Sequence, residues 1–525
     1  MANRINRRRL LQTALAGGAL AARPASAARS ELPIVETSAG KVRGLANNGV
    51  NVFRGVPYGA STAGATRFLP PRKPVPWSGV REAFENGHTA TQIMPAASAI
   101  GAGLRSNARQ GEDCLVLNVF SQGLNDGRKR PVMVWIHGGG YTYSSGTTLA
   151  ADGTNLARSQ DVTVVCLNHR LNIFGHLYLA ELGGPKYADS GNVGMLDLMA
   201  ALEWVRENIA RFGGDPGNVT IFGQSGGGGK VSTLLAMPAA KGLFHRAIIE
   251  SGSTLKQLSR EEAQRQTDRF LAKLGASRDQ IDELQAMPTD RLLASLAATN
   301  GMRLGPVVDG QTLPRDPFDP TAPEISADIP VMIGTAETEG TYFAAPDLLS
   351  MDEATMRSRL GERLGGDSGK IIDSFRKTRP KATPSQLYFT ILAFPTKANL
   401  QAERKAALGK APAYLYQIDW KTPVQDGTRF SPHCLEIPFV FNNVWHMPEL
   451  VGTGPEIQTL ADQVSAAWAA FARSGDPNHS GIPQWPAFRA DERATMIIDR
   501  EWRAVNDLNR EERLAMARFM DLGMT

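Results

Sequence analysis

Residues 218–229 read Asn-Val-Thr-Ile-Phe-Gly-Gln-Ser-Gly-Gly-Gly-Gly, and Lys-Val-Ser-Thr-Leu-Leu-Ala-Met follows. A short β-branched run entering so many glycines must turn there, and the segment after them has the apolar spacing of a helix. A strand therefore leads directly into a helix through a sharp bend, the unit from which helix-covered parallel sheets are built. Gly223-x-Ser225-x-Gly227 puts Ser225 at the apex of that bend. Small residues two before and two after it let strand and helix pass close to each other. The bend lifts Oγ above the sheet edge and aims the free N–H groups of the helix N-terminus at an anion formed on attack. A phosphate-cradling loop is excluded. The G-x-x-x-x-G-K-[ST] pattern, read back from Gly229-Lys230, would place its first glycine on Gln224 and its Ser or Thr on Val231.

The rest of the chain repeats the same alternation. Segments 116–120, 132–136, 162–167, 219–222 and 247–249 are short, apolar and rich in β-branched residues, as strands buried on both faces are. Residues 195–211 carry helical spacing and stop at Gly213-Gly214. The alternation predicts an α/β fold with a doubly wound, mostly parallel central sheet. Ahead of it, 34–45 and 51–53 alternate like antiparallel edge strands around Asn47-Asn48-Gly49. Strand character returns at 330–333, 413–418 and 496–498. The helix-rich blocks 258–300 and 350–410 read as insertions covering the carboxyl edge of the sheet.

The 525 residues suffice for one large domain, and 42% apolar with 21% charged content is that of a soluble globular chain. The net charge of +5 equals the count of arginines among residues 1–27 (Arg4, Arg7, Arg8, Arg9 and Arg23), a stretch with no acidic side chain. The remainder is neutral, so nothing argues for a nucleic-acid partner. Residues 1–27 read as an export signal: Arg7-Arg8-Arg9-Leu10-Leu11 resembles a twin-arginine motif, and Ala25-Ser26-Ala27 a cleavage site. The expectation is an exported, periplasmic or secreted protein whose residues 28–525 form a single catalytic domain. The apolar run between them is too short to span a bilayer, so no stable membrane insertion is expected. Cys114, Cys166 and Cys434 are too few and too widely spaced for a disulfide framework or a metal cluster and read as buried thiols.

A serine hydroxyl needs a base, usually histidine, and a carboxylate to orient that base. Of the histidines after Ser225, His245 follows too soon and His479 sits in a turn-rich loop, which leaves His433 and His446. His433 follows a strand and a polar loop, as a group above the sheet edge should. Glu337 and Glu339, just past the 330–333 run, are the candidate acids, with Asp309 in Asp309-Gly310 a turn-like competitor. Upstream, 132–136 runs into His137-Gly138-Gly139-Gly140-Tyr141, a glycine loop able to converge several N–H groups on one oxygen.

Taken together the motifs resemble those of the type B carboxylesterases, an α/β-hydrolase family that includes cholinesterases and bacterial para-nitrobenzyl esterases. The resemblance rests on Phe53-Arg54-Gly55-Val56-Pro57-Tyr58, Arg67-Phe68, Glu112-Asp113-Cys114-Leu115, Asn168-His169-Arg170-Leu171, Phe222-Gly223-Gln224-Ser225-Gly226-Gly227, Glu250-Ser251-Gly252-Ser253, Glu339-Gly340-Thr341 and His433-x-x-Glu436. It implies the α/β-hydrolase fold with helical insertions over the active site and hydrolysis of a small-molecule ester through an acyl-enzyme. It implies Ser225 as nucleophile, His433 as base, Glu339 as acid, and Gly139, Gly140 and Gly226 as oxyanion donors. Ser251 would support the acid, and no cofactor or metal is implied. The family cysteine at Cys114 usually pairs with one upstream, but none precedes it here. No tryptophan lies between Trp77 and Trp135, where cholinesterases hold a choline-binding one. Two other readings follow from the same residues: a non-catalytic adhesion protein on this scaffold, or the same triad acting on an amide, carbamate or lactone.

Overall fold

The computed structural model describes residues 32–95 and 101–519; the export signal expected in 1–27 lies outside them. The strands of the main sheet are β1 (Leu45–Asn47), β2 (Val50–Pro57), β3 (Val116–Ser121), β4 (Arg130–Ile136), β5 (Thr163–Leu167), β6 (Gly214–Gln224), β7 (Arg246–Glu250), β8 (Val331–Ala336), β9 (Ala413–Ile418), β10 (Thr495–Ile498) and β11 (Arg503–Val505). They form one 11-stranded sheet in the order β11-β10-β9-β8-β7-β6-β4-β5-β3-β2-β1. Every pairing from β5 across to β10 is parallel. Antiparallel pairs close both edges. The edge turn between β1 and β2 is Asn48-Gly49, with φ of 48° and 79°, the left-handed pair that a two-residue hairpin demands. The 34–45 segment departs from the expected edge strand. Ile34–Glu36 and Lys41–Arg43 pair with each other in a separate three-stranded sheet with Val80–Glu82.

Because side chains alternate along a strand, each face of the sheet builds its own core. Val132, Val134, Ile136, Ile221, Ile249 and Ile333 face one core, which holds α1 (Val193–Asn208) and α2 (Gly226–Leu234). Met133, Trp135, Phe222, Ile248, Met332 and Tyr416 face the other, against α4 (Pro455–Ser474). Between these two in sequence, α3 (Thr396–Ala406) adds Ala398 and Ala402 to the first core. Helix α1 continues into a 3₁₀ turn and stops at Gly213, φ 82°, before β6 begins. The chain from Pro33 onward is a single compact unit. Two smaller cores lie apart from those on the sheet: Phe270, Leu271 and Leu284 pack with Phe68, Ile173 and Phe174, and Met356, Ile372 and Leu387 form the other.

The register sets the level at which the strands end. Ile136 lies opposite Gly223, Gln224 opposite Glu250, Glu250 opposite Gly334, and Gly334 opposite Tyr416. The carboxyl ends of β4, β6, β7, β8 and β9 thus meet at one edge, where open α/β sheets hold their ligands. Among the described residues no helix is long and apolar enough to cross a membrane.

Candidate active site

Ser225 follows β6 and caps α2 with φ 60° and ψ −124°, a backbone region that costs on the order of 1–3 kcal/mol for a side-chain-bearing residue. The surroundings over-determine it. Its N–H donates to Glu250 O at 2.8 Å, and its carbonyl accepts from Gly229 N at 3.0 Å. The glycines around it are steric necessities. A Cβ at Gly223 would lie 2.5 Å from Ile136 O, and one at Gly227 would lie 2.0 Å from the same oxygen. Strand end and helix start therefore pass β4 at backbone contact, as the spacing predicts.

Gly226 is the first residue of α2, where an N–H finds no partner within the helix. A Cβ there would sit 2.1 Å from Gly140 O, so the glycine loop after β4 touches the helix start directly. Gly139 and Gly140 have φ of 78° and 60°, conformations that other residues adopt only with strain. The structure thus brings Gly139, Gly140 and Gly226 together beside Ser225.

On the other side, Glu339 lies in the turn after β8. Its Oε1 accepts the Ala336 N–H at 2.7 Å, and its Oε2 accepts Nδ1–H of His433 in a short bond. The His433 N–H donates to the Glu339 carbonyl at 3.2 Å, so backbone and side chain tie the two loops together. With Nδ1–H given to Glu339, Nε2 is the unprotonated nitrogen, the state a proton acceptor needs. Burial acts to lower the His433 pKa, but the Glu339 charge and hydrogen bond override it and hold it above the ordinary 6.5. The Gln224 amide nitrogen lies 3.1 Å from Nε2 and sets the ring against the residue preceding Ser225. Ser225, His433, Gly138 and Gly139 line one cleft, walled by Tyr342 and Phe343.

The competitors lie elsewhere. Glu337 pairs with Arg379 at 3.4 Å, and Asp309 accepts from Asn192 and from the N–H groups of its own turn. His245 accepts from Val219 N midway along β6, and His479 from Gly481 N in its loop. Ser251 is tied to the acid indirectly, because its hydroxyl donates to Oε1 of Glu436. Burial, then the charge of Glu339, pushes Glu436 up to about 7. Behind it burial, then the charge of Glu436, raises Glu250, whose Oε1 accepts Trp468 Nε1–H at 2.7 Å. A buried carboxyl cluster thus underlies the Glu339–His433 pair. Residue spacing has no signal for this cluster, since its members come from β7 and from two separate loops.

Several quoted motifs fasten the scaffold instead. Arg67 grips Glu112 bidentately, at 2.8 and 2.5 Å. Arg170 grips Asp197 in the same way, at 2.8 and 2.6 Å. All three cysteines are free and buried. The blocks 258–300 and 350–410 supply none of the described residues lining the cleft. In the second block Pro384–Leu392 packs on the Glu339–Tyr342 turn. Among the described residues no cluster of His, Cys, Asp or Glu is arranged to hold a metal ion.

A doubly wound sheet with a strained serine at a strand-to-helix elbow and a carboxylate-held histidine in the same cleft defines an α/β-hydrolase. The profile of the carboxylesterase family matches residues 31–517. The para-nitrobenzyl esterase of Bacillus subtilis (strain 168) is 37% identical over 495 residues, 91% of this chain and 97% of that protein. The phenmedipham hydrolase of Pseudarthrobacter oxydans is 34% identical over 504 residues, 92% of this chain and 99% of that one. The crystal structure of a Geobacillus stearothermophilus carboxylesterase at pH 6.2 superposes with a TM-score of 0.80 at 38% identity, covering 92% of this chain and 99% of that one. The chain belongs to the carboxylesterase family. It is an enzyme, a serine ester hydrolase acting on small ester substrates.

Proposed function

We propose that Ser225, His433 and Glu339 are the catalytic triad of this esterase and that Gly139, Gly140 and Gly226 hold the oxyanion. The observation that carries the assignment is Glu339-bound His433 sharing a cleft with the strained Ser225 elbow. His433 Nε2 takes the proton of Ser225 Oγ as the oxygen attacks the ester carbonyl. The charge moves to the carbonyl oxygen, which the three glycine N–H groups receive. Collapse of the tetrahedral adduct expels the alcohol, protonated by His433, and leaves an acyl group on Ser225. Water, deprotonated by the same histidine, releases the acid. Glu339 keeps Nδ1 protonated and stabilises the imidazolium without taking the proton.

The substrate class is a small to medium carboxylic ester, in keeping with a cleft walled by Tyr342, Phe343 and Ile437. A panel of para-nitrophenyl esters of increasing acyl length, run on the wild type and on Ser225→Ala, tests the assignment. Activity that peaks at short to medium chains and vanishes in the variant supports it; activity that survives in the variant refutes it. Amide, carbamate and lactone analogues in the same panel decide how far the chemistry extends. We also propose export through the arginine-rich segment 1–27 with cleavage after Ala27. The amino-terminal sequence of protein recovered from a bacterial periplasm tests this: an intact Met1 end there would refute the cleavage, and absence of the protein from that compartment would refute the export.

A further inference from the structure

We propose that Lys230 is a positioning residue for the oxyanion site, holding the glycine loop 138–140 against the helix that carries Ser225 and Gly226; the proposal rests on the oxyanion role given above to Gly139, Gly140 and Gly226. Its side chain is wholly buried, an uncommon place for a lysine, and its Nζ donates to two carbonyls, His137 O at 3.0 Å and Gly140 O at 2.8 Å. These two residues flank the loop that bears Gly139, so one ammonium spans the flexible stretch from end to end. The same group lies 5.4 Å from the centre of the Tyr141 ring.

The sequence explains why a lysine is needed at that position. Residues 226–229 are all glycine, so the first turn of α2 has no side chain with which to hold anything. Those glycines cannot be larger, because a Cβ on Gly226, Gly227 or Gly228 would fall within 3.0 Å of neighbouring backbone. The loop they touch is itself glycine at 138–140 and would otherwise sample many conformations. Lys230 is the first residue of the helix able to reach out, one turn beyond Gly226, and it reaches back to both ends of that loop. It therefore joins the two sources of oxyanion donors, the loop and the helix start, into one rigid unit. No acidic side chain appears among its described hydrogen-bond partners, and burial pulls its pKa down to about 7. The grip does not depend on that titration, since a neutral amine still has two N–H bonds for two carbonyls.

The test is Lys230→Met, which keeps the apolar stem and removes every donor. Rates are expressed per active site, counted by stoichiometric labelling of Ser225 with an organophosphate, so that misfolded protein drops out. The expected result is a fall in kcat on the order of 100-fold for para-nitrophenyl acetate, with KM changed by less than about threefold. Affinity for a trifluoromethyl ketone, whose adduct oxygen uses the same donors, falls by a factor similar to that in kcat/KM. A merely structural lysine would lower the melting temperature and leave kcat per labelled site untouched. That result, or a fall in kcat with undiminished ketone affinity, overturns the proposal. Should Lys230→Met fail to fold, Lys230→Gln, whose shorter arm cannot bridge both carbonyls, is read by the same two measurements. Wild-type enzyme that takes no label at Ser225 would overturn the triad reading instead.

Discussion

The two halves of the proposed site are built from different materials. The nucleophile half is backbone: a serine at φ 60°, glycines that touch neighbouring strands and loops, and N–H groups at a helix start. The acid–base half is side chain: Glu339, His433, Ser251, Glu436 and Glu250, brought from β7 and two distant loops into a buried network. A backbone device is contiguous and must be spelled by residues at fixed spacing, whereas a side-chain device is assembled by the fold. The first tolerates almost no change of size, the second almost no change of charge.

The largest effects should come from the residues where the halves meet. Ser225→Ala is expected to lower kcat by roughly 10⁵–10⁶, and His433→Ala by a similar factor, because a triad acts as one unit. Far-ultraviolet circular dichroism should show both variants folded. Glu339→Gln keeps the shape and removes the charge, and a loss of about 10⁴ is expected in steady-state assays at pH 7.

Next comes a change of size in the backbone half. Gly226→Ala places its Cβ 2.1 Å from Gly140 O, so the loop must move. The expected loss in kcat is about 10²–10³, the scale of one misplaced oxyanion donor. A variant with wild-type kcat would show that the contact is not needed.

A smaller effect separates charge from shape through pH. His433 must be neutral to act, and its pKa is held above 6.5, so kcat/KM should rise through a limb lying above that value. With its folded pKa raised, His433 adds stability that is complete below 6.5 and is lost as pH rises through the folded pKa. Glu339→Gln removes the charge and hydrogen bond that chiefly oppose burial and leaves only the smaller effect of Glu436 against it, so the residual activity should show the limb at lower pH. A limb that does not move would mean that Glu339 does not set the base.

The smallest effect is expected at Glu337, whose partner is Arg379. Glu337→Gln should leave kcat/KM within about twofold. A loss matching that of Glu339→Gln would undo the choice between the two glutamates.

This division also explains what could be read in the chain before its structure. The alternation of β-branched runs and helical spacing marked the central strands, since a buried strand has to be apolar along its length. The elbow is legible as a motif because Ile136 O and Gly140 O leave no room for a Cβ at Gly223, Gly226 and Gly227, and the loop 137–141 because Gly139 and Gly140 take positive φ. Spacing left Glu337 and Glu339 unresolved, as they are two residues apart at the end of β8 and only the incoming His433 loop selects one. The carboxyl cluster of Glu250 and Glu436, and the grip of Lys230, depend on contacts between segments far apart in sequence. The 34–45 segment departs from the expectation because its strands pair with each other and with Val80–Glu82 in a small sheet separate from the main one.

The central claim is that both halves converge on one oxygen, Ser225 Oγ. Titration with an organophosphate, followed by peptide mass spectrometry, tests it most directly. One phosphoryl group per chain is expected, carried on Ser225, with ester hydrolysis lost in proportion to labelling. Full labelling at another residue, or hydrolysis that persists once Ser225 is fully modified, would contradict it.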